Sequence, residues 1–320
     1  MKSFLRIGIF LLALAVPLTA PWAQDSRSVV RVHIPGYSPS SLPFQIAEEQ
    51  GFYQEESVSV RILRLKTGAG IQAMLAGEVD VSQVTGPTVL AAILQGAPLK
   101  VVMVFNDKPT YRLYVKKEIR SFADMKGSRI GSSTPGSTSD RLLKVVLEKN
   151  GIRWQKETTI IYIGTTDVVL RALRGGAIDA AVVTPPADFL AGEAGFHQLF
   201  SFENEIGALQ GGVSTTETFL AKKPDAVARF LRATLKGLKY FKANREGAVR
   251  TMVKFMAISG EMAQRIYDGN QSAFVSNGLV SEDFQEKVLD FELKAIGTDK
   301  KVRKEKLFDF SVMKSLAAGG

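Results

Sequence analysis

From residue 28 the chain alternates short apolar runs with helical stripes. Residues 29–34 are the first such run and predict a strand. A polar loop, Pro35-Gly36-Tyr37-Ser38-Pro39-Ser40-Ser41, separates it from a helix expected over 42–50, with Pro43 in its first turn and Gly51 past its end. Further strands are expected at 58–65, 79–84 and 100–105, with an extended stretch at 113–116. Helices are expected from Thr67 or Gly68 to Ala76 and over 89–95. This alternation predicts right-handed βαβ units on a mostly parallel sheet.

The pattern then starts again. Residues 75–87 and 174–186 match at a spacing of ninety-nine, which puts Gly77 on Gly176, Asp80 on Asp179, Thr85 on Thr184 and Pro87 on Pro186. At a spacing of one hundred, Pro35-Gly36 falls on Pro135-Gly136 and Gly51 on Gly151. Past Thr218 the stripes turn helical, first from Pro224 with Val227, Phe230, Leu231, Leu235, Leu238 and Phe241 on one face, then over 247–256, 261–274 and 281–296. The expected organisation is two similar α/β lobes. Residues 28–108 with 213–320 make the first and 109–212 the second, and the chain crosses near 106–116 and 211–213. Two crossings are what a hinge requires.

Six strand-to-helix loops, three per lobe, should reach the carboxyl edges of the sheets, where open α/β folds hold ligands. Each delivers a helix N-terminus with free N–H groups, so a shared cleft should favour a small anionic or polar group. The candidates are Tyr37, Ser38, Ser40 and Ser41 in one loop and Thr85, Gly86 and Thr88 in another. The second lobe adds Thr134, Gly136, Ser137 and Thr138, and then Thr184 and Pro185. Ser137 with Asp140 also reads as a capping box, which needs no ligand. Asp80 and Asp179 fall at the opposite edge, where turn hydrogen bonding is the expected role. Arg64, Lys66 and Arg112 are of the kind that usually ends in exposed salt bridges, Arg141 reads as a surface residue, His33 as a packed core residue and His197 as part of a turn.

Composition narrows the chemistry. The 320 residues include no cysteine, which removes disulfides, thiolate catalysis, cysteine-bound metals and a lipid anchor at an export cleavage site. Two histidines make a His-rich metal site unexpected, and no cofactor is expected. There is no Gly-x-Ser-x-Gly elbow, P-loop or His-Glu-x-x-His. Lys2 and Arg6 precede an apolar run over 7–16 and a small-residue stretch, the form of a signal peptide (residues 1–23) cleaved near Ala23. The expected location is therefore the periplasm. The net charge of +9 is compatible with an anionic ligand, and export argues against nucleic acid as a partner.

Ala47 to Gly51-Phe52-Tyr53, Leu75-Ala76-Gly77-Glu78-Val79-Asp80, Gly96-Ala97-Pro98-Leu99-Lys100, Met125-Lys126-Gly127 and Thr134-Pro135-Gly136-Ser137-Thr138 together resemble the nitrate/sulfonate/taurine-type solute-binding proteins of ABC importers. The resemblance covers about residues 28–300. It implies a two-lobe periplasmic-binding-protein fold of type II, closure on ligand about a double hinge, and delivery by a monomer to a membrane permease driven by a separate ATPase. An organic anion such as a sulfonate or aromatic carboxylate is the expected ligand. The family also includes binders of pyrimidine thiamine precursors, so the alternatives are a neutral heterocycle as ligand or an enzyme acting on such a compound. A related enzyme group carries a cysteine-rich motif that this chain lacks.

Overall fold

The computed structural model describes residues 28–204 and 209–318. The export-signal reading lies outside these residues. In chain order the strands are β1 (Ser28–Ile34), β2 (Val58–Arg64), β3 (Val81–Ser82), β4 (Leu99–Asn106), β5 (Arg112–Val115), β6 (Arg129–Ser132), β7 (Thr159–Tyr162), β8 (Ala180–Val183), β9 (His197–Ser201) and β10 (Gly211–Thr216). They form two five-stranded sheets, ordered β2-β1-β3-β10-β4 and β7-β6-β8-β5-β9.

The two orders are one topology used twice. In each sheet three parallel strands are followed by one antiparallel strand and then the edge strand. The antiparallel strand, β10 or β5, is the first strand after the chain crosses from the other sheet. Residues 211–213 were expected only as a crossing. They read Gly-Gly-Val and carry no alternating stripe, so pairing with β3 and β4 on either side, not side-chain pattern, makes them a strand. The expected strand over 79–84 is only two residues long, the expected turn at His197 is the start of β9, and the helix expected at 89–95 already begins at Gly86.

Burial explains the strand sequences. In β4 every residue from Val101 to Asn106 is buried, and its apolar run is continuous because both faces are covered. The edge strand β2 is largely open to solvent. Over the first sheet the Pro224–Ala243 helix crosses the Leu42–Glu49 helix so closely that a side chain at Gly237 would collide with the Pro43 carbonyl. Phe230 stacks between Phe44 and Tyr53, with ring centroids 6.1 and 5.6 Å away. The second lobe's core is smaller. Leu142, Leu143, Val146 and Leu147 of the Thr138–Lys149 helix cover Ile130, Leu113 and Val182. The Glu282–Ile296 helix spans both lobes, with Val288 and Leu289 in a first-lobe core and Phe291 against the second-lobe core.

The repeat is real, with one shift. Gly77 and Gly176 both end helices in the left-handed conformation, at φ of 75° and 72°. Asp80 grips Arg31 through Nε and Nη2 (2.9 and 2.7 Å), and Asp179 grips Arg129 in the same way (3.0 Å each). The strand pairing Val32 to Val81 matches Ile130 to Ala180. That register puts Gly36 opposite Thr134, not opposite Gly136, two residues away from the Pro-Gly match in the sequence.

Candidate functional site

The loops at the carboxyl edges of the two sheets converge on one cavity of about 430 Å³. Tyr37, Ser38 and Ser40 line it from the loop after β1, and Thr85 and Thr88 from the start of the Gly86–Leu94 helix. From the second lobe come Thr134, Ser137, Thr138 and Thr184.

Four expected residues are not on its wall. Ser41 is buried behind it and donates to Gln83 Oε1 (2.8 Å), so it fixes a lining residue instead of being one. Gly86 faces the junction between lobes, where an added side chain would meet the Leu209 carbonyl at 2.9 Å and Glu292 Oε1 and Thr138 Oγ1 at 3.5 Å. Gly136 belongs to a separate cleft beside Arg141 and Lys144, as the shifted register requires. Pro186 lines the cavity in place of Pro185, and the peptide bond between them is cis.

The cavity also has members that the loop signal missed. Gln83 lies within the strand expected over 79–84, and Gln210 adjoins the return crossing. Arg171 and Arg174 lie beyond the first turn of the Thr166–Arg174 helix, where loop reasoning does not look. Arg64 and Lys66, expected in surface ion pairs, have no carboxylate partner among the described residues and stand at the cavity, with the Arg64 guanidinium 4.8 Å above the Tyr37 ring. Tyr37 also meets Phe255 edge-on, at 4.7 Å.

The two lobes touch across the cavity. The side-chain position of Gly36 is 3.7 Å from Thr165 Cγ2, and that of Gly164 is 4.0 Å from Lys66 Cε. Arg265 of the first lobe lies 3.4 Å from Glu193 and 5.0 Å from the Phe189 ring of the second. The two crossing segments are tied where Gln210 accepts from Thr110 N–H and donates to Thr110 Oγ1 (2.8 Å). Behind the cavity Thr138 donates to the Leu209 carbonyl (3.2 Å), and Arg141 lies 3.6 Å from Glu292. Arg141 is thus an interlobe residue, not the surface residue expected.

Burial sets the unusual ionisations. Glu292 is fully buried, neither carboxyl oxygen has a hydrogen bond among the described residues, and desolvation pushes it up to about 8 against the pull of Arg141. Asp188, 3.4 Å from Arg112, is pushed up to about 6 for the same reason, and Arg112 too is in a buried pair instead of an exposed one. His33 is packed between Ser82 Oγ (2.8 Å) and the Leu65 carbonyl (3.0 Å), and its burial lowers its pKa. Neither histidine lines the cavity. Among the described residues there is no group of three or more His, Asp or Glu placed to hold a metal, and no helix is long and apolar enough to cross a membrane.

The polar atoms of the wall divide by lobe. Ser40 Oγ and Thr85 Oγ1 are buried and have no partner among the described residues. In the second lobe Ser133, Ser137 and Ser139 bond to one another at 2.8–3.0 Å, and Ser137 also donates to the Thr134 carbonyl (2.7 Å). Asp140 N–H is 3.4 Å from Ser137 Oγ, and the Asp140 carboxylate reaches back to Gly136 N–H (2.8 Å), a capping arrangement displaced by one residue from the expected box.

The family model described as NMT1/THI5 like matches residues 38–248. The riboflavin-binding protein RibY of Chloroflexus aurantiacus is 24% identical over 252 residues, 76% of this chain and 71% of that protein. A solved structure from Bordetella bronchiseptica RB50 superposes with a TM-score of 0.80 at 21% identity, covering 92% of this chain and 98% of the other. The alkanesulfonate-binding protein SsuA of Xanthomonas axonopodis pv. citri, solved bound to MOPS, gives a TM-score of 0.72 at 16% identity, covering 90% and 97%.

Proposed function

The chain belongs to the NMT1/THI5-like family, and from that premise we propose that it is an exported solute-binding protein of an ABC importer that captures a small organic anion between its lobes. The observation that carries the ligand class is the charge of the cavity. Arg64, Lys66, Arg171 and Arg174 line it against a single carboxylate, Asp167. A sulfonate or an aromatic carboxylate of modest size suits that balance and the volume. Ligand held by one lobe would be covered by the loops of the other, and the closed monomer would dock on a membrane permease. The cavity would bind its ligand and release it unchanged.

A thermal-shift screen of the chain from residue 24 onward tests this against sulfonates, aromatic carboxylates, nitrate, pyrimidines and flavins. A ligand at 100 times its Kd adds about 2.7 kcal/mol to stability. Stabilisation by organic anions supports the reading, and stabilisation by neutral compounds alone overturns the anion assignment. A neutral heterocycle is the second reading. It is favoured by the Tyr37 ring at the cavity and by the similarity to a riboflavin-binding protein.

A further inference from the structure

The charges of the cavity are sorted by depth. Every charged lining residue is exposed: Arg64, Lys66, Asp167, Arg171 and Arg174. Every buried polar lining residue is neutral: Ser40, Gln83, Thr85, Ser137 and Thr184. The inner end therefore offers hydroxyls and an amide, and the enclosed hydroxyl oxygens of Ser40 and Thr85 have no partner among the described residues. The outer end offers net positive charge from both lobes, since Arg64 and Lys66 belong to the first and Arg174 to the second.

Resting on the anion-binding reading above, we propose that the ligand is two-ended. A neutral hydrogen-bonding group enters first, against Ser40, Gln83 and Thr85, and the anionic group stays at the mouth between Lys66 and Arg64 on one lobe and Arg174 on the other. The physical reasons run together. A neutral donor–acceptor group matches the amide and hydroxyls of that end, and a turn of the Ser40 or Thr85 side chain would bring its unpaired hydroxyl to it. An anion carried to the inner end would lose its hydration without meeting a cation there. At the mouth the same anion keeps part of its water and meets cations from both lobes, so its charge bridges the lobes and favours closure.

The test uses four benzene derivatives of one shape: benzoate, 4-carbamoylbenzoate, terephthalate and terephthalamide, with calorimetry on the chain from residue 24 onward. The expected order puts 4-carbamoylbenzoate first, tighter than each of the other three by about tenfold or more. Its affinity should fall several-fold between about 0.02 and 0.5 M salt, as for a charge held at a solvated mouth. The double variant K66Q/R174Q should weaken 4-carbamoylbenzoate to the level of terephthalamide and leave terephthalamide unchanged. Both side chains are exposed, so folding is not at issue, and thermal melts of the free variant confirm it. Terephthalate binding more tightly than its monoamide, equal losses for the charged and neutral compounds, or binding of none of the four would overturn the orientation. The broader uptake reading has its own test, because organic anions stabilising the protein in the screen would leave it standing whichever end they insert.

Discussion

In the first lobe Ser40 and Thr85 bring buried hydroxyls to the cavity with nothing to bond, while in the second Ser133, Ser137 and Ser139 bond to each other. The sheets behind them have the same strand order. The difference lies in how each wall is held. The first lobe's wall is backed by a large aromatic core and braced by Ser41, which leaves Ser40 and Thr85 out of its hydrogen bonds. The second lobe has a smaller core, and its loop is braced by its own hydrogen bonds. A buried hydroxyl without a partner costs about 1–3 kcal/mol. Ligand toward which these side chains turn would recover that cost on the first lobe only, so the first lobe is expected to bind and the second to cover.

Substitutions in each lobe test this contrast. The largest effect is expected from Phe230→Ala, which empties the space between Phe44 and Tyr53 and should cost about 3–5 kcal/mol. Hydrogen exchange should then accelerate in β1 and β2 and stay slow in β6 and β7. Equal acceleration in both sheets would show that the cores do not act separately.

Next comes Glu292→Gln, read through pH. The folded protein holds this proton up to about pH 8, whereas an ordinary glutamate loses it near 4.5. Folding therefore favours the protonated form. The associated stability is complete below about 4.5 and declines as pH rises through 8. The glutamine variant should be more stable than the parent at pH 8, by about 1–3 kcal/mol, and nearly equal to it at pH 4.5. Urea titrations at the two pH values decide it, and a variant weaker at pH 8 would mean that the charged Arg141 pair is the stabilising form.

Ser40→Ala and Ser139→Ala bear directly on the comparison. The first removes a hydroxyl with no partner and should leave free-protein stability unchanged or slightly higher while weakening ligand about tenfold. The second breaks a bonded network and should cost about 1 kcal/mol of stability with little effect on ligand. The reverse pattern, from melts and calorimetry, would remove the division of labour. The smallest effect is expected for Asp80→Asn and Asp179→Asn, about 1 kcal/mol or less. Asp179 should lose slightly more, because it also holds Lys116 at 2.5 Å and its carboxyl is kept well below the usual range by Arg129 and Lys116. Its share of stability is present above about pH 4 and lost in acid.

The fold was legible where glycine, proline and the apolar stripes act locally. Gly51, Gly77, Gly151 and Gly176 mark helix ends in both halves because each needs a positive φ. The β10 strand was not legible, because its Gly-Gly start becomes a strand only through the partners on either side. The site was partly legible. Loop positions such as Ser40, Thr85 and Thr138 follow from strand order, whereas Gln83, Arg171 and Arg174 reach the cavity from inside regular elements. The mismatch at Gly136 has a plain cause. Two Pro-Gly steps look alike in sequence, but strand pairing sets the register, and the second lobe's loop is two residues out of step with that match.

The strand that each lobe takes from a crossing bears on the order in which the protein matures. All five strands of the second sheet lie between residues 112 and 201, so a chain emerging N-terminus first has that sheet complete while the first still lacks its fourth strand. The first sheet must wait for residues 211–216, and its covering helix for residues 224–243. The segment made first is thus among the last to be finished, held open by an insert that folds before it.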